Sequence, residues 1–341
     1  MSGSAGCVVG LDNGGTSNNA TVLDLSGDFL VGRLVETPSR VTDGPTVAVP
    51  AMVDAVDAVL VVAGVRRDAV RAVGLDTPGP ASAAGVISSL GSTNFVHDEW
   101  RSFDVRSALE SALGLPVVYN NDGNAAALYA HHAHFGPEAS TTSSVSAIVG
   151  TGLGGGLVEA GSVVRGAAGM AGELGHVVIP MAGLLADDQP SPECNCGNLA
   201  DAESVASLTG ITKNLLPYWL TQFPGHPLAS TTPALAARMV RSLGEQGDPL
   251  ATRIFEQQAM ALGRLFSIVA NVTDPAAYFV GGGVVEAAPH FREWFLATVR
   301  EHTVLRAEQH RAVAFSIVPD LDMAGARGSA LAALAEAQRG T

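Results

Sequence analysis

The feature that most narrows the fold is a pattern that occurs twice. Near the start, the apolar run Cys7–Leu11 leads into a turn, Asp12–Thr16, then into a second run, Ala20–Leu25. A short turn at Ser26-Gly27 and a third run, Phe29–Val35, complete it. Further along, Val145–Val149 is followed by the glycine turn Gly150–Gly155, then by Gly156–Glu159, Ala160-Gly161 and Ser162–Arg165. Apolar, β-branched runs broken at short intervals by Gly, Asn and Asp read as strands joined by hairpin turns. Strand, glycine turn, strand, tight turn, strand therefore appears once in each half. That implies two similar α/β domains with a cleft between them. A chain of 341 residues also exceeds what one hydrophobic core usually organises. The expected division is a smaller first domain over 1–121 and a larger second over 122–325. A helix over about 326–341 is expected to pack back on the first.

Between these patterns the chain alternates short strands with helices. Val47–Val65 reads as a helix with Gly64 as its stop. Ala72–Leu75 is a short strand before the turn-rich DTPGP, and Val117–Asn120 is a buried strand. Asn121-Asp122-Gly123-Asn124 then opens a helix through Ala125–Ala133. Pro137–Ser144 reads as a structureless polar connection, Leu184–Glu193 as an acidic Pro-containing loop, and Trp219–Thr232 as a surface excursion. The tail Gly328–Gln338 is a helix with an Ala/Leu face.

Composition excludes several classes of function. Only 15% of residues are charged and 47% are hydrophobic, which rules out intrinsic disorder. With 19 Lys+Arg against 33 Asp+Glu the chain carries −14, no electrostatic footprint for nucleic acid or an anionic bilayer. A phosphate ligand must then be held by backbone amides, helix ends and a metal ion, and 39 glycines supply such loops. Three cysteines, Cys7, Cys194 and Cys196, make no disulfide framework. The start lacks a basic segment followed by a long apolar one, as a signal peptide needs. The longest apolar runs, such as those around Val59–Ala63, are shorter than a bilayer crossing. The expectation is a soluble, cytoplasmic protein with no membrane partner.

The motifs point toward phosphate chemistry. The glycines of Asp12-Asn13-Gly14-Gly15-Thr16 allow the backbone to approach a ligand, and Asp12 at the strand end offers hard oxygens to magnesium, usually through water. Read alone, the segment is equally an ordinary Asn-Gly hairpin. In the matching place of the second half, five of the seven residues Gly150–Gly156 are glycine, more than a hairpin needs, and Thr151 adds a hydroxyl. It is neither a Walker loop nor a dinucleotide fingerprint. Two such loops facing each other would grip a polyphosphate. A third set, Gly281-Gly282-Gly283, follows the apolar Ala277–Val280; it is either bare backbone for an adenosine or a tight strand-to-helix turn. Asp122 at a helix start is placed to take a proton from a hydroxyl, although Asn and Asp are also the usual helix caps. Glu173, His176, Cys194, Cys196, Asp201 and Glu203 form the most distinctive cluster. Cys-x-Cys near a His in a reduced compartment points to zinc held by His176, Cys194, Cys196 and Asp201, against the alternative of two buried reduced cysteines and a core histidine. Glu173 and Glu203 flank that set and can present paired acceptors to sugar hydroxyls.

With these pieces in place the sequence resembles the ROK family of sugar kinases and related repressors over nearly its whole length. DNGGT resembles the family's first phosphate loop, TPGPA with NFVHDEW its sugar-side loops, and Asn121-Asp122 its catalytic pair. GTGLGGGLVEAGSVVRGAAGMAGELGH resembles the family signature, and DPAAYFVGGGV with GARGSA its adenosine-side elements. The resemblance implies an α/β fold of the actin-like, hexokinase type, related to ribonuclease H, with a central cleft. It also implies ATP-dependent phosphorylation of a hexose. Asp122 would be the general base; Gly79, Asn121, Glu173, His176 and Glu203 would hold the sugar. Asp12, Gly14, Gly15, Thr16, Thr151 and Gly152 would hold ATP phosphates and Mg2+, with Gly282 and Gly283 on the adenosine side. Zn2+ would be structural, and relatives imply a homodimer or homotetramer.

Three departures from the family pattern matter. In Cys-x-Cys-Gly-x-x-Gly-Cys-x-Glu the last cysteine is Asp201 here and the preceding glycine Ala200. The stretch from His176 to Cys194 is longer than usual, with Leu184–Glu193 as the insertion, and Ser17-Asn18-Asn19 stands where relatives often carry a lysine. Alternatives are an amino sugar, N-acetylmannosamine, mannose, fructose or allose as substrate, polyphosphate as donor, or a non-catalytic sugar-binding or repressor role. The repressor reading is weak because Asp12 leaves no room for a preceding helix-turn-helix arm.

Overall fold

In the computed structural model, which describes residues 6–79, 81–89 and 94–339, the alternation of side chains along the first strand sets the layers. Pro80 of TPGPA, the first five residues and positions 340 and 341 of the expected C-terminal helix lie outside the described residues. Strands β1 (Cys7–Asn13), β2 (Ser17–Asp24), β3 (Val35–Pro38), β4 (Val70–Thr77) and β5 (Val117–Asn121) form a sheet in the order β3-β2-β1-β4-β5. β1 is antiparallel to β2 and parallel to β4, and β5 is parallel to β4. Successive residues point to opposite faces. Cys7, Val9 and Leu11 therefore join the core of α1 (Pro45–Ala63) and α2 (Val105–Leu113), among Met52, Val56, Val59, Trp100 and Leu109. Val8 turns the other way, with Leu23 and Ala72, onto Ala330 and Ala333 of α10 (Leu321–Arg339). That helix rests directly on the strands: a Cβ at Gly10 would lie 1.9 Å from the Ala326 carbonyl, and one at Gly74 1.8 Å from that of Ser329. α3 (Asp122–Phe135) packs beside α10. These elements belong to one compact unit, Met1–Thr141, Gly156–Gly172 and Pro319–Thr341.

The second unit is Thr142–Gly155 with Glu173–Val318. Its strands β6 (Ser143–Val149), β9 (Ala277–Gly282) and β10 (Ala314–Ile317) are parallel neighbours. Together with β7 (Leu153–Glu159) and β8 (Ser162–Val163) the sheet order is β10-β9-β6-β7-β8, and the unit boundary falls inside β7. Read from β8, the sequence of strands repeats that of the first sheet. α4 (Leu208–Gly210) continues through the π-turn Ile211–Leu215 into α5 (Leu216–Gln222), and α6 (Pro233–Glu245), α7 (Pro249–Thr273), α8 (Pro289–Glu301) and α9 (Ala307–Ala312) follow. Asp248 caps α7 through the Ala251 N–H at 2.9 Å, and Pro249 occupies the first turn, where its missing N–H costs nothing. Phe255, Leu262 and Phe266 on α7 are buried, with the Phe266 ring 5.0 Å from that of Tyr278 on β9.

Several local expectations are corrected. Phe29–Val35 is not a strand: Phe29 makes one isolated bridge to Leu23, Leu30 is exposed, and β3 begins only at Val35, past Gly32. Pro137–Ser144 is ordered, with a 3-10 segment at Gly136–Thr141 and β6 starting at Ser143; the buried His131 ring pins it through the Ala139 carbonyl at 2.8 Å. Trp219–Thr232 begins inside α5, where the Trp219 indole donates to Gln257 at 2.8 Å, and includes a 3-10 turn at Pro227–Ser230. The second glycine turn is shorter than read, because β7 starts at Leu153 and takes in Gly154–Gly156. The run-length argument against a membrane span also fails for α1. Its 19 residues, which contain an 18-residue window of mean hydropathy 1.9, are long and apolar enough to cross a bilayer by length and composition. The apolarity has a local cause, since Ala48, Met52, Ala55, Val56 and Val59 line the core under the first sheet.

Candidate active site

In the first unit, the carboxyl ends of parallel strands carry the polar groups, the place where open α/β sheets bind ligands. Asp12 on β1 lies directly opposite Asp76 on β4. Asn19 donates to Asp12 Oδ2 at 3.2 Å, and Ser329 of α10 donates to Asp76 Oδ2 at 2.8 Å. Asp76 is completely buried and its Oδ1 has no hydrogen-bond partner among the described residues. Burial first, and then the charge of Asp12, pushes the Asp76 carboxyl well above the usual carboxylate range, and burial also raises Asp12. Two facing carboxyls disfavour each other's charged form, which holds a proton on the pair to higher pH than on a free carboxyl.

One strand further, β5 ends at Asn121, whose Oδ1 caps α3 by accepting the Asn124 N–H at 2.8 Å. Asp122 is exposed, and its Oδ1 accepts the Gly123 N–H at 2.7 Å. Tyr119 behind it shares a 2.7 Å hydrogen bond with Thr77, and burial raises its phenol. The first glycine turn closes through the Gly14 N–H to the Ser17 carbonyl at 2.9 Å. Gly15 faces Asn94, where a Cβ would come within 2.8 Å of Oδ1; Thr16 and Gly79 are at least partly open to solvent.

The second unit builds its turn from different parts. The Gly150 N–H donates to the Gly152 carbonyl at 2.9 Å, and the carbonyls of Gly150 and Thr151 accept from Leu208 and Thr209 at the start of α4. Glu203 Oε2 accepts the Leu153 N–H at 2.8 Å. It fits only because position 152 lacks a side chain: a Cβ there would stand 2.4 Å from that oxygen. Gly282 has φ +93° and lies 1.9 Å, at its would-be Cβ, from the Val149 carbonyl, so the backbone alone demands glycine there. The Gly283 carbonyl accepts from Arg241 at 2.8 Å.

His176, Cys194, Cys196 and Asp201 come together, each offering a ligand atom within 4.8 Å of the others. His176 turns Nδ1 toward Asp201 Oδ2 at 3.4 Å, with Cys194 Sγ at 3.9 Å; Cys196 Sγ lies 3.5 Å from the same Asp201 oxygen. Asp201 Oδ1 is held by the Ser204 N–H at 2.8 Å, which aims Oδ2 at the cluster. Imidazole nitrogen, two sulfurs and an oriented carboxylate are the donor types zinc takes, so the residues fit that ion. Burial pushes the Cys194 thiol up. Glu173 precedes the short 3-10 turn that carries His176 and is exposed.

Each unit thus holds part of each expected set. Gly79, Asn121 and Asp122 lie in the first, and Glu173, His176 and Glu203 in the second; Asp12, Gly14, Gly15 and Thr16 in the first, and Thr151, Gly152, Gly282 and Gly283 in the second. Sequence reading missed Asp76, Ser329 and Asn19. The available signal was Asp76 itself, a carboxylate closing the otherwise apolar run AVGLD.

The ROK family model matches residues 8–336, nearly the whole chain. The chain belongs to the ROK family. A glucokinase of Halalkalibacterium halodurans is 30% identical over 302 residues, covering 86% of this chain and 84% of that protein. An N-acetylmannosamine kinase of Citrobacter koseri is 32% identical over 234 residues, 68% of this chain and 69% of that one. Among solved structures, a ROK hexokinase from Thermus thermophilus superposes with a TM-score of 0.76 at 31% identity, covering 98% and 99% of the two chains. A ROK glucokinase from Streptomyces griseus, solved with glucose and AMPPNP, gives 0.67 at 27% identity over 96% and 99%. The fold is the actin-like one of ROK sugar kinases.

Proposed function

We propose that this chain, an ATP-dependent sugar kinase, transfers the γ-phosphoryl group of Mg-ATP to the primary 6-hydroxyl of a hexose, as a glucokinase does, with Asp122 as general base. The observation that carries the assignment of the base is the division of roles at the start of α3. Asn121 takes the cap, and the Asp122 carboxylate is left exposed at the amide end of the helix. A carboxylate so placed accepts a hydroxyl proton in a reaction that otherwise depends on positioning and charge neutralisation. As the sugar oxygen bonds to phosphorus its proton passes to Asp122, and the electron pair of the broken P–O bond leaves with ADP.

Asn121, its Oδ1 committed to the cap, offers Nδ2 as donor to a sugar hydroxyl. Glu173 and Glu203 supply acceptors, Gly79 lines the sugar, and His176, with Nδ1 turned to the cluster, presents Nε2. Asp12, Gly14, Gly15, Thr16, Thr151 and Gly152 hold the phosphates, with Gly282 and Gly283 toward the adenosine. Asp12 holds Mg2+ through water, where the ion supplies neutralisation of phosphate charge. Zn2+ on His176, Cys194, Cys196 and Asp201 is structural. The test is ADP release from Mg-ATP across glucose, mannose, fructose, allose, amino sugars and N-acetylmannosamine, with polyphosphate as a parallel donor. The expected result is the highest kcat/KM for glucose with ATP. A clear preference for N-acetylmannosamine, the substrate in the name of one relative, replaces glucose and leaves Asp122 in place. Silence over the panel from folded, zinc-loaded protein overturns the hexose reading.

A further inference from the structure

Glu203 touches both the ion-ligand cluster and the glycine turn. Its Oε1 accepts from Cys194 Sγ at 3.4 Å, and its Oε2 accepts the Leu153 N–H at 2.8 Å. Its own N–H donates to the Gly175 carbonyl at 2.8 Å, next to His176. The chain from Asp201 to Thr209 runs from the cluster to the turn in nine residues, ending where Leu208 and Thr209 hold the carbonyls of Gly150 and Thr151. Contacts of 3.4 to 3.9 Å, long for hydrogen bonds, run between the ligand atoms of His176, Cys194, Cys196 and Asp201. An ion takes Cys194 as thiolate, which no longer donates to Glu203, so the tie runs through the backbone: the ion fixes Asp201 two residues before Glu203, and His176 beside the Gly175 carbonyl that accepts the Glu203 N–H.

We infer that Glu203 is a positioning residue that ties the glycine turn Gly150–Leu153 to the ion-ligand cluster, so that filling the cluster tightens nucleotide binding. This rests on the reading of that turn as a nucleotide phosphate site, and goes beyond a role of the cluster in holding sugar. Glycine at 152 leaves the room this contact uses, since a Cβ there would stand 2.4 Å from Glu203 Oε2. The coupling is reciprocal: nucleotide must tighten the ion by the same factor.

The experiment is calorimetric binding of ADP to the full chain, without sugar, in zinc-loaded and chelator-stripped protein. Wild type, Glu203→Ala and Glu203→Gln are compared, which forms a cycle between ion and side chain. Stripping is expected to weaken ADP about fivefold or more in wild type. Glu203→Ala should bind weakly with or without zinc, and Glu203→Gln, which keeps an oxygen for the Leu153 N–H, should fall between. An equal effect of stripping on wild type and Glu203→Ala overturns the proposal, as does an alanine variant that binds like wild type. If the alanine variant does not fold, hydrogen exchange at the Leu153 amide of wild type decides. Faster exchange after stripping supports the strut, and unchanged protection overturns it. Wild type that binds no ADP in either state overturns the nucleotide reading and the inference with it.

Discussion

The two glycine turns sit at the same place in two sheets of the same strand order, yet they are backed by opposite chemistry. Behind Gly14–Thr16 stand two facing carboxyls, Asp12 and Asp76, with Asn19 and Ser329 as their donors. Behind Gly150–Gly152 no strand carboxylate stands among the described residues; the turn is held by Glu203 and by the amides that begin α4. Strand order depends on alternating apolar residues, which tolerate wide substitution, so both sheets keep it. Turn chemistry depends on single side chains, and there the halves differ. The first is backed by a pair of acids on neighbouring strands, and the second by a single carboxylate that engages the turn's own backbone N–H.

The largest effect is expected at Asp122, the exposed acid that begins α3. Asp122→Asn should lower kcat by about 10²–10⁴-fold and leave the sugar KM within a few-fold, because the amide still accepts a hydrogen bond but takes no proton. Near-normal turnover would remove Asp122 from the base role. Next comes the support of the second turn. Cys194→Ser should bring zinc well below one per chain by elemental analysis and lower the Tm of the loaded protein by several degrees, about 1–2 kcal/mol for a chain of this size. An unchanged Tm and full zinc would separate the cluster from folding. Asp201→Cys should act oppositely, raising the chelator concentration needed to strip the ion, since a thiolate is the softer ligand.

A smaller effect compares the turns directly. Gly152→Ala puts a Cβ 2.4 Å from Glu203 Oε2, whereas Gly14→Ala meets only the Ser17 carbonyl at 3.2 Å. The first change should raise the KM for ATP about tenfold, roughly 1.4 kcal/mol, and the second about twofold. Equal effects would mean that the two turns are not supported differently.

What the sequence discloses follows from how far apart the partners lie. β1, β2, β4 and β6 and the stop at Gly64 are legible because strand alternation and turn glycines are local signals. α7 goes unread, although the Asp248-Pro249 start and the spacing of Phe255, Ala259, Leu262 and Phe266 mark it. The ion-ligand cluster is legible because Cys194, Cys196 and Asp201 stand close together in sequence. The supports are not. Glu203 reaches Leu153 across 50 positions, and Ser329 reaches Asp76 across 253, and no local pattern encodes such pairings. The false strand at Phe29–Val35 has the same origin, since a short apolar run becomes a strand only when a neighbour pairs with it.

The last effect, read first in stability rather than in turnover, tests why the first turn keeps a buried carboxyl at all. Asp76 is raised by burial and by Asp12, so the folded chain holds a proton that the unfolded chain releases near its ordinary carboxylate value. Its contribution to stability is therefore fully present below that unfolded value and is lost as pH rises through the higher folded one. Asp76→Asn carries no charge at any pH, and its amide can donate to the Asp12 carboxylate. The variant should be more stable than wild type at pH 8, by about 1–2 kcal/mol, and its stability should decline less between pH 5 and pH 8. Its activity should nonetheless fall, most at low Mg2+, because Asp12 then faces a fixed donor instead of a second acid. Urea titrations of both proteins at the two pH values, with Mg2+ dependence of kcat/KM alongside, check the pair. Parallel stability slopes would remove Asp76 as the titrating group, and a stabilised variant of full activity would make the buried acid a cost without a use.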